Sequence, residues 1–332
     1  MTFGGDENDE GFSVQQTIDG GYIFTGNTYT LDNQEQIYLI KTDENGELEW
    51  EQTYGGTGID QGFSVQQTSD GGYVITGIKS DLSWSGNDFG DGWLIKTDEN
   101  GELEWEQTYG GDIIDRFHYV KQTDDGGYIM TGWTSSFSPS GVYVIKTDEN
   151  GDSLWMTTHG TIYSDSSSLD QTDDGGYIIT GTGLFKIDEN GELEWEQTQI
   201  YGEEFVFGNS VQQTSDGGYI ITGFKIPGES QSYDLCLIKT DVNGEEEWSQ
   251  TFGDIYNNDW GYSVQQTTDG GYIMTGGTYV NSSNSDVILI KTDGLGQEQW
   301  SQTFGGGNFT LDWGHSVQQT TDGGYIITGQ TN

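Results

Sequence analysis

Six of the ten basic residues in this chain of 332 occupy one recurring position: Lys41, Lys96, Lys146, Lys186, Lys239 and Lys291. Against 55 acidic side chains and a formal net charge of −45, a lysine kept so regularly points to a fixed carboxylate partner. Two partners fit the spacing. One is the aspartate two residues on, such as Asp43; the other is a turn aspartate of the series Asp19, Asp70, Asp125, Asp174, Asp216, Asp269 and Asp322. The first chemistry to expect is a structural ion pair between strands, and the second is a ring of lysines receiving an anion. Covalent catalysis fits poorly, because one active site needs one nucleophile.

A second acidic series, Asp9, Asp60, Asp115, Asp259 and Asp312, lies five residues before each Val14-type position. Brought together radially, these carboxylates would suit a hard cation such as calcium; taken singly, they would cap turns through their own backbone. Asp43-Glu44-Asn45-Gly46-Glu47 lacks the spacing of an EF-hand loop and reads as a hairpin turn. Aromatics crowd two stretches, Trp84, Phe89 and Trp93, then Trp133 and Phe137. Beside Asp81, Asn87, Asp88 and Asp91 they could stack on a sugar, or else fold back on one another. His118, His159 and His315 have no metal-ligand spacing, and carboxylate pairs are too common to mark a glycosidase. Cys236, the only cysteine, replaces Tyr38 in its repeat and reads as a small core residue, with no C-x-x-C pair for zinc or redox chemistry. Asn281-Ser282-Ser283 and Asn308-Phe309-Thr310 match the glycosylation acceptor pattern.

The elements that hold these residues are set by a repeat. Ser13-Val14-Gln15-Gln16-Thr17, then Asp19-Gly20-Gly21-Tyr22-Ile23, returns from Ser64, Tyr119, Ser168, Ser210, Ser263 and Ser316. A second phrase, Tyr38-Leu39-Ile40-Lys41-Thr42-Asp43-Glu44-Asn45-Gly46, leads to Trp50 and recurs before Trp105, Trp155, Trp195, Trp248 and Trp300. Asp-Gly and Asn-Gly supply the positive φ of tight hairpins, so each repeat predicts four short strands in about 50 residues. No 3.6-residue apolar period supports a helix. The consecutive apolar Tyr38-Leu39-Ile40 predicts a strand buried on both faces.

The Asp43-x-x-Gly46 and Trp50 pattern resembles the blade motif of quinoprotein-like propellers, with a turn one residue shorter, and the strand order resembles kelch-type blades. As a whole the two phrases resemble repeats of large prokaryotic cell-surface proteins, over nearly all of the chain. The expected fold is all-β: one β-propeller over residues 1–332, with units at about 6–56, 57–111, 112–160, 161–202, 203–253 and 254–306. A partial unit, 307–332 with 1–5, would make seven blades with an incomplete closing blade; a stretch of a longer array is the alternative. Thr2-Phe3-Gly4-Gly5 matches the end of a unit, and the seventh copy of the first phrase would lie beside it with an open edge.

No apolar run nears the roughly 20 residues of a membrane helix, residues 1–30 show no signal segment, and so acidic a surface repels phosphate backbones. The resemblance implies an exposed or secreted propeller with no chemistry of its own to carry over. The reading is a non-enzymatic extracellular or cell-surface module, structural, adhesive or interacting. Its partner is a protein or glycan, it requires no cofactor, with calcium the one candidate ion, and it could self-associate through the open edge. A carbohydrate-binding propeller is the alternative, and a hydrolase or lyase at the channel mouth is a third reading.

Overall fold

The computed structural model describes residues 2–4, 9–29, 34–80, 90–138, 140–159, 168–181, 183–197, 205–226, 232–253, 257–281, 284–305 and 310–331. Among them every regular element is a strand, arranged as six four-stranded sheets and one two-stranded sheet. Each sheet is a meander of antiparallel neighbours. In the first, the strands run Asp9–Gln16, Tyr22–Tyr29, Glu35–Thr42 and Leu48–Tyr54. The others occupy residues 61–109, 115–159, 168–197, 205–252 and 259–304, and the last hairpin pairs Trp313–Gln319 with Tyr325–Gln330. These are the blades of a β-propeller.

Complete blades number six; the seventh unit, expected as an incomplete closing blade, is a two-stranded hairpin and not a blade of its own. The third and fourth strands of a blade come from the lysine-bearing phrase, which occurs six times, so the seventh copy of the first phrase forms a hairpin alone. Contacts divide the chain into two compact units, Met1–Asp165 with three blades and Ser166–Asn332 with three blades and the hairpin.

Both turns form as their residues dictate. Asp19 accepts from the Thr17 hydroxyl at 2.5 Å and the Gly21 N–H at 3.0 Å, around Gly20 at φ +90°. Asp43 accepts from the N–H groups of Asn45 and Glu47, both at 2.8 Å, around Gly46 at φ +82°. An ordinary side chain would be strained at either glycine.

The core lies between successive blades. Ile23, Ile37 and Leu39 of the first meet Val65, Tyr73, Ile75, Trp93 and Ile95 of the second, all of them buried. Each such aliphatic contributes about 1.5–3 kcal/mol. At the margin, the fourth-strand tryptophan of one blade packs on the second-strand tyrosine of the next: Trp50 on Tyr73 at 5.7 Å, Trp195 on Tyr219 at 6.0 Å, Trp248 on Tyr272 at 5.8 Å. The Asn-Gly turn of that next blade closes over the ring. A Cβ at Gly101 would lie 2.7 Å from the Trp50 ring, and one at Gly244 would lie 2.7 Å from Trp195.

Candidate functional site

The lysines occupy seats that are already filled. Lys41 Nζ donates to Asp19 at 2.9 Å, to Glu49 at 2.8 Å and to the Thr42 carbonyl at 2.9 Å. Lys96, Lys186 and Lys239 repeat the arrangement with Asp70 and Glu104, Asp174 and Glu194, Asp216 and Glu247, at 2.9–3.1 Å. Lys146 has Asp125 at 2.9 Å, because Leu154 stands where the other blades carry glutamate; Lys291 has Asp269 at 3.0 Å and the amide oxygen of Gln299. All six lysine side chains are buried while their acids are half-exposed. The lysine thus ties a turn to the fourth strand of its own blade; the glutamate partner recurs directly before the tryptophan in four of the six phrases, a signal that the repeat reading passed over.

The second acidic series holds backbone. Asp60, buried, accepts from Gly56 N–H at 2.7 Å and Ser80 N–H at 2.9 Å. Asp115 accepts from Gly111 N–H at 2.8 Å, the Ser136 hydroxyl at 2.6 Å and the Thr134 hydroxyl. Asp312 receives the Thr310 hydroxyl at 3.2 Å; Asp259 is buried and Asp9 half-buried at the same position. Among the described residues no three His, Cys, Asp or Glu side chains are grouped to hold a metal ion.

The aromatic candidates separate. Trp84 and Phe89 lie outside the described residues. Trp93 is a core residue, 2% exposed, with its indole N–H on Glu106 at 3.0 Å and Lys79 Nζ 4.5 Å from its ring centre. As placed it presents no face for stacking, because its strand position directs it between blades. Phe137 folds back onto Tyr143 at 5.4 Å. Trp133 sits one position past Gly132 and stays half-exposed.

The phrase Ser-Val-Gln-Gln carries the device that sequence reasoning missed. A first strand is a sheet edge, and its outward N–H groups need acceptors. The preceding blade provides them: Ser13 Oγ for Val65 N–H at 3.3 Å and Gln15 Oε1 for Gln67 N–H at 2.6 Å, then Ser64 for Val120 and Gln66 for Gln122. The same ladder joins Ser210 to Val264 and Ser263 to Val317. The alternate residues face the other way. Val65 enters the core and Gln67 accepts the Ile18 N–H of the preceding turn at 2.8 Å. Beside the serine, a β-bulge turns one residue out of register in five of the complete blades and in the hairpin. These residues stack between blades, Phe12 on Phe63 on His118, and Tyr262 on His315.

Burial pushes the His118 ring down to about 3, with the Arg116 charge acting in the same direction, and pushes His315 down to about 4 against a hydrogen bond to Gln330. Both rings are neutral near pH 7. The Cys236 thiol is buried and pushed up to about 12, which removes it as a nucleophile.

Comparison with solved structures places this arrangement among propellers. The chain aligns with Sqt1 from Chaetomium thermophilum at 12% identity, covering 94% of this chain and 75% of that one, with a TM-score of 0.53. It aligns with YCF48, in a structure bound to a D1 peptide, at 11% identity over 99% and 93%, with a TM-score of 0.54. The likeness is one of fold. No protein-family model matches the sequence, and neither does any curated protein.

Proposed function

We propose that this protein is a non-enzymatic interaction or adhesion module that works outside the cell or at its surface. One observation carries the reading: the lysines, both aspartate series and the Ser-Gln phrase are engaged in joining strands and blades, while the connection after the second strand changes from blade to blade. That connection spans residues 81–89 in the second blade and 181–183 in the fourth. A constant scaffold with variable loops is how repeat proteins present recognition surfaces. The fold also suits a protein ligand, as in the peptide-bound YCF48 structure.

The test is saturable binding of the full chain to immobilised surface-protein and polysaccharide fractions, with and without replacement of residues 81–89 by glycine and serine. Loss of binding at unchanged melting temperature supports the reading; no binding to any fraction, or a chain shielded inside intact cells from added protease, overturns it. Trp133 keeps a carbohydrate-binding reading in play, together with Trp84 and Phe89. Glycan-array binding lost on Trp84→Ala would select it. Polysaccharide turnover abolished by one carboxylate change would select a hydrolase or lyase instead.

A further inference from the structure

Arg116 is the only arginine in a chain with 55 acidic side chains, and it has no acid. The repeat lysines all lie on carboxylates, and so does Lys79, on Glu106 at 3.0 Å. Among the described residues the Arg116 guanidinium makes no ion pair, and its Nε is buried without a hydrogen-bond partner while the side chain as a whole stays half-exposed. Leaving a desolvated N–H unpaired costs about 1–3 kcal/mol, and more on a charged group. The repeat shows why the acid is missing. Arg116 stands opposite Trp133 on the first strand of the third blade, at the position that Gln61 holds opposite Ile78 in the second. Gln61 is met from the preceding blade by Glu35, a fully buried side chain whose Oε1 accepts from Gln61 Nε2 at 2.7 Å; Trp260 is met at the same position by Tyr233, at 5.8 Å. In the second blade the Glu35 position is Gly90, and Ile78 lies 2.5 Å from where its Cβ would be. That position therefore offers Arg116 no acceptor.

We propose that Arg116 and Trp133 form a subsite for a single uronate unit in an otherwise neutral glycan. Its carboxylate takes the role that Glu35 plays for Gln61 and receives two N–H groups of the guanidinium, a planar fork that matches a carboxylate. Its pyranose ring lies on the indole. Arg116 and Trp133 are cross-strand neighbours, so their side chains share one face of the sheet, and the Trp133 ring is half-exposed there. One uronate brings a carboxylate and a flat apolar face together; an aspartate or glutamate of a peptide brings only the first. The formal charge of −45 limits the ligand further, because it repels a polyanion far more than a glycan with one charge. The inference deepens the carbohydrate reading given above and rests on it.

The test titrates the full chain with the methyl glycosides of glucuronate and galacturonate and with their neutral parents, the glucoside and galactoside, followed by ligand-observed NMR. A uronate should bind at least about tenfold tighter than its parent. Arg116→Gln, checked by its melt, should remove that preference and leave the neutral sugar's affinity unchanged, whereas Trp133→Ala should weaken both. Neutral sugars bound without a uronate preference, a preference that survives Arg116→Gln, or unchanged affinities in Trp133→Ala would each overturn this subsite alone. No binding of any of the four would overturn the subsite and the carbohydrate reading together. A short peptide whose free C-terminus competes more tightly than either uronate would give the guanidinium to a peptide and overturn the sugar assignment.

Discussion

The lysine seats make sharp claims about single residues. Replacing Lys96 with methionine leaves Asp70 and Glu104 facing each other without a cation. Breaking a fully buried pair costs about 3–5 kcal/mol, and the half-exposed acids reduce this to about 2 kcal/mol. Lys146→Met strands only Asp125 and should cost visibly less, a difference that thermal melts of the two variants would show. Acid acts on the same groups. Partial desolvation raises Asp70, but hydrogen bonds from Thr68, Lys96 and Gly72 and the Lys96 charge outweigh it and hold it near 2; Asp269 is held near 2 first by the Thr267 hydroxyl. A depressed carboxylate stabilises fully above its unfolded value of about 3.9, and that contribution disappears as pH falls through about 2. The histidines act earlier. Their folded values lie below the unfolded value of about 6.5, so stability should fall from pH 6.5 downward as the unfolded chain takes up protons first. The limit is about 1.4 kcal/mol per pH unit for each ring. Both rings are deeply surrounded yet half-exposed, so water screens the charge and the slope stays below that limit. His118→Phe with His315→Phe, matching Phe12 and Phe63 at the same position, should flatten the melting temperature between pH 6.5 and 4.5.

At the level of the strand and turn, two glycines separate backbone strain from packing. Gly71 at φ +92° has open space at its Cβ position, so Gly71→Ala should cost about 1–2 kcal/mol from the left-handed backbone alone. Gly101 at φ +76° would also drive its Cβ to 2.7 Å from the Trp50 ring, so Gly101→Ala should cost clearly more and shift tryptophan emission. The hairpins and the four-strand rhythm were legible because Asp-Gly and Asn-Gly act locally, through their own φ angles. The Ser-Gln ladder was not, because its partners are N–H groups about 50 residues away that every residue but proline carries. Trp93 and Trp133 looked alike in the sequence for a related reason. Trp93 sits opposite Gly77, whereas Trp133 sits one step beyond the equivalent Gly132, and one step along a strand exchanges one face for the other. The count of seven took in the last hairpin as a partial blade: copies of the first phrase count inner hairpins, and copies of the lysine phrase count complete sheets.

Across the whole molecule, a formal charge of −45 with the lysines buried leaves a strongly anionic exterior. Self-repulsion is screened beyond about 10 Å in 0.1 M salt, so the melting temperature should rise from dilute buffer to molar sodium chloride. A rise with millimolar calcium beyond that of equal ionic strength would mark a discrete cation site in the Asp9 series; an equal rise would assign the effect to screening. The ladder has one more consequence. Ser13, Gln15 and their equivalents reach towards the following blade while Gln67 and its equivalents reach back, so each of these junctions joins the same two kinds of surface, like links in a head-to-tail polymer. Excising or inserting one whole period would leave matching ends on either side. Unequal recombination between such similar copies could therefore change the copy number of the array while each seam remained intact.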